Sequence, residues 1–160
     1  DLSVTLREEM THAQDYLALM QVRMGRRLQV QMDIAPELHE VPLPPMLVQP
    51  LIENAIKHGL DPLPEGGTLH IRAYREGEML TIQVQDSGQG CSALEAPLAQ
   101  PGQGFGLKCI RERLLASYGD AGALHLDSTP PASAPHQAAC GTTATLRLPL
   151  RPPTWAPAHS

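Results

Sequence analysis

The sequence predicts an α/β two-layer sandwich, in which a mainly antiparallel mixed sheet is covered by helices on one face. Three observations carry that prediction. Every strand-like segment alternates apolar with polar residues, so each has one side to bury and one to leave wet. Apolar residues recurring at spacings of three and four mark helices able to cover the apolar side. Because the strands alternate throughout, a doubly wound parallel sheet, buried on both faces, is set aside.

Leu6, Met10, Ala13, Leu17, Met20 and Met24 form one apolar stripe on a helix. Such a stripe serves core packing or the end of a two-helix coiled coil equally well. Residues 1–27 are read as an N-terminal helix ending an upstream dimerisation or linker region, 28–150 as the folded domain, and 151–160 as a disordered tail. Leu28, Val30, Met32 and Ile34 alternate with Gln29, Gln31 and Asp33, a half-buried strand. Val41-Pro42-Leu43-Pro44-Pro45 breaks the chain, and a helix is expected from near Pro45 to about His58, stopped by Gly59. Leu69, Ile71 and Ala73, the turn Glu76-Gly77-Glu78, and Leu80, Ile82 and Val84 predict a hairpin with one wet face. Residues 87–104 read as a flexible loop. Leu107, Ile110, Leu114 and Tyr118 mark a helix over 104–118, followed by a short strand at Leu124 and Leu126. Residues 129–140 are a low-complexity excursion, and Ala144, Leu146 and Leu148 form the last strand.

Composition bounds the function. A chain of 160 residues holds one domain with one core. Aromatic residues make up 3%, so Leu, Ile, Val and Met must build that core, and base stacking lacks platforms. A net charge of −5 argues against binding nucleic acid or an anionic membrane surface. No run of 18 apolar residues and no signal peptide is found. Cys91, Cys109 and Cys140 are odd in number and form no C-x-x-C pair, which reads as free thiols in a reducing cytosol. The chain begins at Asp1 inside a helical pattern and is read as a piece of a longer protein.

Three stretches carry chemistry. Counting by twos from Leu80 puts Asp86 on the side of Ile82 and Val84, where a carboxylate needs a hydrogen-bond partner. The following Ser87-Gly88-Gln89-Gly90 allows close backbone approach, which suits an adenine ring and its exocyclic amine. An Asp capping its own turn is the other reading. Gly102-Gln103-Gly104-Phe105-Gly106-Leu107 opens a helix, where exposed N–H groups and the dipole attract phosphate; a plain flexible loop would look the same. Glu53-Asn54-Ala55-Ile56-Lys57-His58 places Asn54, Lys57 and His58 at i, i+3 and i+4 on one helical face, able to hold Mg²⁺ and phosphates or simply to be solvated.

Taken in order, these stretches resemble a known family. Residues Pro44 to Gly59 resemble the N-box of LytS-like sensor histidine kinases. Asp86-Ser87-Gly88-Gln89-Gly90 resembles the first glycine box, and Gly102 to Leu107 with Ile110-Arg111-Glu112-Arg113-Leu114 the second. Gly141-Thr142 resembles the closing Gly-Thr, and Tyr16-Leu17 with Arg23 to Leu28 the entry segment. The resemblance covers roughly residues 10–150 and implies the Bergerat fold of the gyrase, Hsp90 and MutL ATPases, with 28–150 as an ATP-binding catalytic domain. It implies that Asn54 ligates Mg²⁺ and that Lys57 and His58 approach phosphate or ribose. It further implies that Asp86 binds the adenine amine with Thr142 in support, that Gly88 and Gly90 border the base, and that Gly102, Gly104, Phe105, Gly106 and Leu107 line the phosphates. Residues 91–103 become a lid, stiffened by Pro97 and Pro101, and Cys109 stands where the family usually has Asn.

The implied function is transfer of the ATP γ-phosphoryl to a histidine outside this stretch, with Asn54, Glu53 and Lys57 as the catalytic set. Pro50 occupies the position of the water-activating Glu in the ATPase relatives, and Glu53 points about 100° from Asn54, so hydrolysis is expected to be weak. None of the seven His residues sits in an acceptor motif, His12 included. The expected partners are ATP, an upstream phospho-acceptor helix and a cognate response regulator, with no nucleic acid and no direct membrane contact. The expected setting is the cytoplasmic side, within a parent that can be membrane-anchored. A degenerate nucleotide-sensing module, and an ATPase or serine kinase on the same fold, are the alternatives.

Overall fold

A computed structural model describes residues 3–60, 64, 66–87, 101–129 and 141–150. The side chains of 58, 59, 101–106, 128 and 129 lie outside that description. The short strand β1 (Val4–Thr5) leads into helix α1 (Leu6–Met24), which Thr5 starts with a capping box. Thr5 Oγ1 accepts from the Glu8 N–H at 3.1 Å, and Glu8 Oε1 accepts from the Thr5 N–H at 2.9 Å. Strand β2 (Leu28–Ile34), the short β3 (Pro42–Leu43) and helix α2 (Val48–Asn54) follow. A π-helical turn over Ala55–Leu60 then leads to β4 (Gly67–Glu76) and β5 (Met79–Asp86). Helix α3 (Pro101–Tyr118), β6 (Ala123–Thr129) and β7 (Gly141–Pro149) close the order.

The five-stranded sheet runs β2-β4-β5-β7-β6. Only β2 and β4 pair in parallel, because the chain between them crosses over through α2; the other neighbours are antiparallel. One face takes Leu69, Ile71, Ala73, Leu80, Ile82, Val84, Ala144, Leu146 and Leu148 into a single core beneath the three helices. The other face carries His70, Arg72, Gln83, Thr145 and Arg147. This is the mixed, mainly antiparallel two-layer sandwich that strand alternation predicts.

The stripe on α1 is core packing: Leu6, Met10, Ala13, Leu17, Met20 and Met24 are all buried. Leu19 and Val22, on its other side, are 70% and 85% exposed. The first turn of α1 is stitched to the chain before α2. The β1–β3 ribbon pairs Val4 with Leu43, the Leu6 N–H donates to the Val41 carbonyl at 3.0 Å, and the Arg7 N–H to that of His39 at 2.9 Å.

Two boundaries differ from expectation. The N-box helix starts at Val48, not near Pro45, because Met46 holds a φ of 64° that no right-handed helix admits. Its α-helical part ends at Asn54, where the π-turn takes over. Second, α3 begins at Pro101, so residues 101–104 are helical and not loop. A proline suits a first helical position, since its missing N–H would lack an intrahelical partner anyway. Among the described residues, no helix is long and apolar enough to cross a membrane.

Candidate functional site

Asp86 ends β5 on the apolar face, as the alternation predicts, and is only 5% exposed. Register sets it opposite Leu69 on β4 and Thr142 on β7, so the acid and the threonine share one rung of the sheet. Both make polar interactions within the fold. The neighbouring strands close tightly here. A Cβ on Gly141 would overlap the Asp86 carbonyl oxygen, and Gly141 has a φ of +155°. A Cβ on Gly67 would overlap Ser87 Oγ. That hydroxyl accepts from the Thr68 N–H at 2.9 Å, while the Ser87 N–H donates to the Thr68 carbonyl at 3.1 Å. The strand end carrying Asp86 is therefore pinned by main chain on both sides.

The second wall is α2 with its π-turn. Leu51, Ile52 and Ile56 are buried in the core, and the turn packs on β5 and β7. Asn54 and Glu53 are half-buried, and Lys57 is exposed. The change to π winding at Ala55 alters the reading of this segment, because the wider turn breaks the 100° spacing that would align Asn54, Lys57 and His58. The His58 side chain lies outside the described residues. Glu53 is held along the helix, its Oε2 accepting from Gln49 Nε2 at 3.1 Å. Pro50 falls in the first turn of α2, where its missing N–H costs little.

The third wall is α3. Leu107 is buried in the core, so only its main chain is left to face a ligand. A helix starting at Pro101 has the N–H groups of Gly102, Gln103 and Gly104 in its first turn, where intrahelical acceptors are lacking. The side chains of Gly102 through Gly106, Phe105 among them, lie outside the described residues, as do Gly88, Gly90, 91–100, Cys91 and Cys140 in full. Cys109, half-buried, is a free thiol.

Sequence reasoning missed two residues. Glu9 is 6% exposed and accepts the main-chain N–H groups of Met46 at 3.0 Å, Leu47 at 3.3 Å and Val48 at 3.1 Å. Arg113 Nη1 donates to the Pro45 carbonyl at 2.8 Å. An acid three residues after Leu6, inside an apolar stripe, was the available signal for Glu9. A groove on the other sheet face, lined by Asp33, Arg72 and Tyr74, is shallow and open. Its polar groups are matched to one another: Asp33 pairs with His70 at 2.7 Å, and Arg72 lies 5.3 Å from the Tyr74 ring.

A buried acid at a pinned strand end, a helix presenting an amide, and a helix start rich in glycine fit an adenine nucleotide with one metal ion. A single amide oxygen suffices for Mg²⁺ when the phosphates supply the remaining ligands.

Over 154 residues the chain is 32% identical to Sensor protein LytS of Staphylococcus haemolyticus, covering 92% of this chain and 25% of that protein. Over 148 residues it is 34% identical to Sensor histidine kinase BtsS of Escherichia coli, covering 92% and 24%. The chain thus spans about a quarter of the length of these curated relatives. Among solved structures, the mycobacterial sensor histidine kinase MprB shares the fold with a TM-score of 0.64 at 21% identity, covering 94% of this chain and 97% of that one. Residues 43–152 match the model of the histidine kinase-, DNA gyrase B- and HSP90-like ATPases, and the chain belongs to that family.

Proposed function

We propose that this chain is the ATP–Mg²⁺-binding catalytic domain of a two-component sensor histidine kinase, serving phosphoryl transfer to a histidine outside these residues. The observation behind this is the burial of Asp86 at a strand end closed by Gly141 and shared with Thr142. The similarity to LytS and BtsS supports the kinase class over the other ATPases of the family.

Asp86 accepts a hydrogen bond from the exocyclic amine of adenine, which a ring lacking that amine cannot give; this is base selectivity by a buried carboxylate acceptor. Thr142 supports the same contact from the next strand. Gly88 and Gly90 border the base. Asn54 offers its amide oxygen to the metal, and Lys57 and His58 supply donors and positive charge near the phosphates. Gly102, Gly104, Gly106 and Leu107 face the phosphates with main chain, and Phe105 lies among them. When bound, Mg²⁺-ATP supplies the γ-phosphoryl group and part of the charge neutralisation its transfer needs. Glu53, held by Gln49, stands beside Asn54 rather than one turn before it, and Pro50 offers no base, so these residues do little to activate water.

Phospho-labelling tests the proposal. With γ-labelled ATP, the chain alone retains no stable label, at His12 or elsewhere. Joined to the upstream part of its parent, it passes label to a histidine there. Stable label on His12, or rapid release of free phosphate by the chain alone, would contradict the assignment. A nucleotide-sensing module without transfer is the second reading, on the strength of Cys109 just after the second glycine box, where the family usually has Asn; it predicts binding with no label in either case.

A further inference from the structure

The turn from Pro45 to Val48 starts the helix that carries Asn54, and two other helices grip that turn. From α1, the buried Glu9 carboxylate takes three successive main-chain N–H groups, two on Oε1 and one on Oε2. From α3, Arg113 donates to the Pro45 carbonyl at 2.8 Å. Between these holds, Met46 keeps a φ of 64°, a conformation that side chains other than glycine avoid. Its own side chain is 44% exposed, so the main-chain bonds account for the conformation better than packing does. The N-cap residue, Leu47, has no side-chain hydrogen bond to give. Glu9 therefore does from another helix what a local Ser or Asp does elsewhere, with its charge at the positive end of the helix dipole.

We propose that Glu9 is a positioning residue: capping α2 from α1, with Arg113 as the opposing hold from α3, it fixes where Asn54 stands relative to Asp86. The proposal rests on Asn54 being the metal-binding residue. The α-helical part of α2 is about 10 Å long at 1.5 Å per residue, and it behaves as a short rod. Tilting a rod at its start displaces its far end, where Asn54 sits. Asp86 belongs to the sheet and is pinned by β4 and β7, so it stays behind. Loosening the cap thus separates the metal side of the site from the base side without disturbing the base. Since the Leu6 and Arg7 N–H groups bond to Val41 and His39 just before the turn, movement of α1 reaches the same point.

The test is the affinity of the non-hydrolysable analogue AMPPNP for the 160-residue chain, with Mg²⁺ and with EDTA in its place. Glu9→Gln keeps the shape and removes one acceptor oxygen. It is expected to cut the Mg²⁺-dependent gain in affinity about tenfold. Affinity in EDTA should stay within about twofold, since Asp86 is untouched. Glu9→Asp, with both oxygens but a shorter reach, should fall between. An unchanged gain, or equal losses with and without metal, overturns the proposal, the latter pointing to a structural role alone. Should circular dichroism show Glu9→Gln unfolded, Arg113→Met takes its place, with a selective loss of about threefold expected and the same overturning results. Wild-type protein that binds no AMPPNP removes the nucleotide assignment and this proposal with it. Wild-type binding with an unaltered Glu9→Gln profile removes this proposal alone.

Discussion

At the Asp86 end of the site, position comes from strand register: Leu69, Asp86 and Thr142 share a rung, Gly141 lets the neighbouring main chain close on it, and Gly67 makes room for the Ser87 side chain. At the Asn54 end, position comes from side chains on distant helices, Glu9 and Arg113, acting on a turn that carries an unfavourable Met46 conformation. The sheet end holds its acid with many short main-chain bonds and has little room to adjust. The helix end is packed through Leu51, Ile52 and Ile56, but its start is held by a few side-chain hydrogen bonds from α1 and α3. On the proposed assignment, a site assembled this way would keep its base recognition constant while its metal side responds to movement of α1 or α3.

Two substitutions bear on that contrast. Gly141→Ala forces a Cβ against the Asp86 carbonyl, which is main chain and cannot step aside. It should cost about 3 kcal/mol, read as a lower urea midpoint at unchanged slope. Full stability would mean that the strand end is looser than described. Met46→Gly works in the other direction, because it relieves a left-handed φ. After the entropy of the added glycine, it should gain about 1 kcal/mol, seen as a rise of about 3 °C in the thermal midpoint. A fall would place the tension elsewhere.

The same division governs what could be read from the chain beforehand. Strands Leu28–Ile34 and Met79–Asp86 were legible because period-two alternation is a local property, and it also put Asp86 on the buried face. The apolar stripe of α1 was legible as a helix, but not whether it faced a core or a partner, since a few turns of spacing serve both. The start of α2 was not legible, because its cap comes from Glu9, 37–39 residues away in sequence, and from an atypical φ at Met46. Nor was the π-turn at Ala55–Leu60, which has no periodicity of its own over one turn. The start of α3 was available in Pro101, a residue that fits a first helical position as readily as a stiff lid.

The central claim, that a buried carboxylate at the end of β5 reads adenine, is tested most directly by titration calorimetry of the chain and its Asp86→Asn variant with AMPPNP and Mg²⁺. The account predicts that the variant stays folded and binds about tenfold or more weakly, the cost of losing a charged hydrogen-bond acceptor. Equal affinities for the two proteins would contradict it.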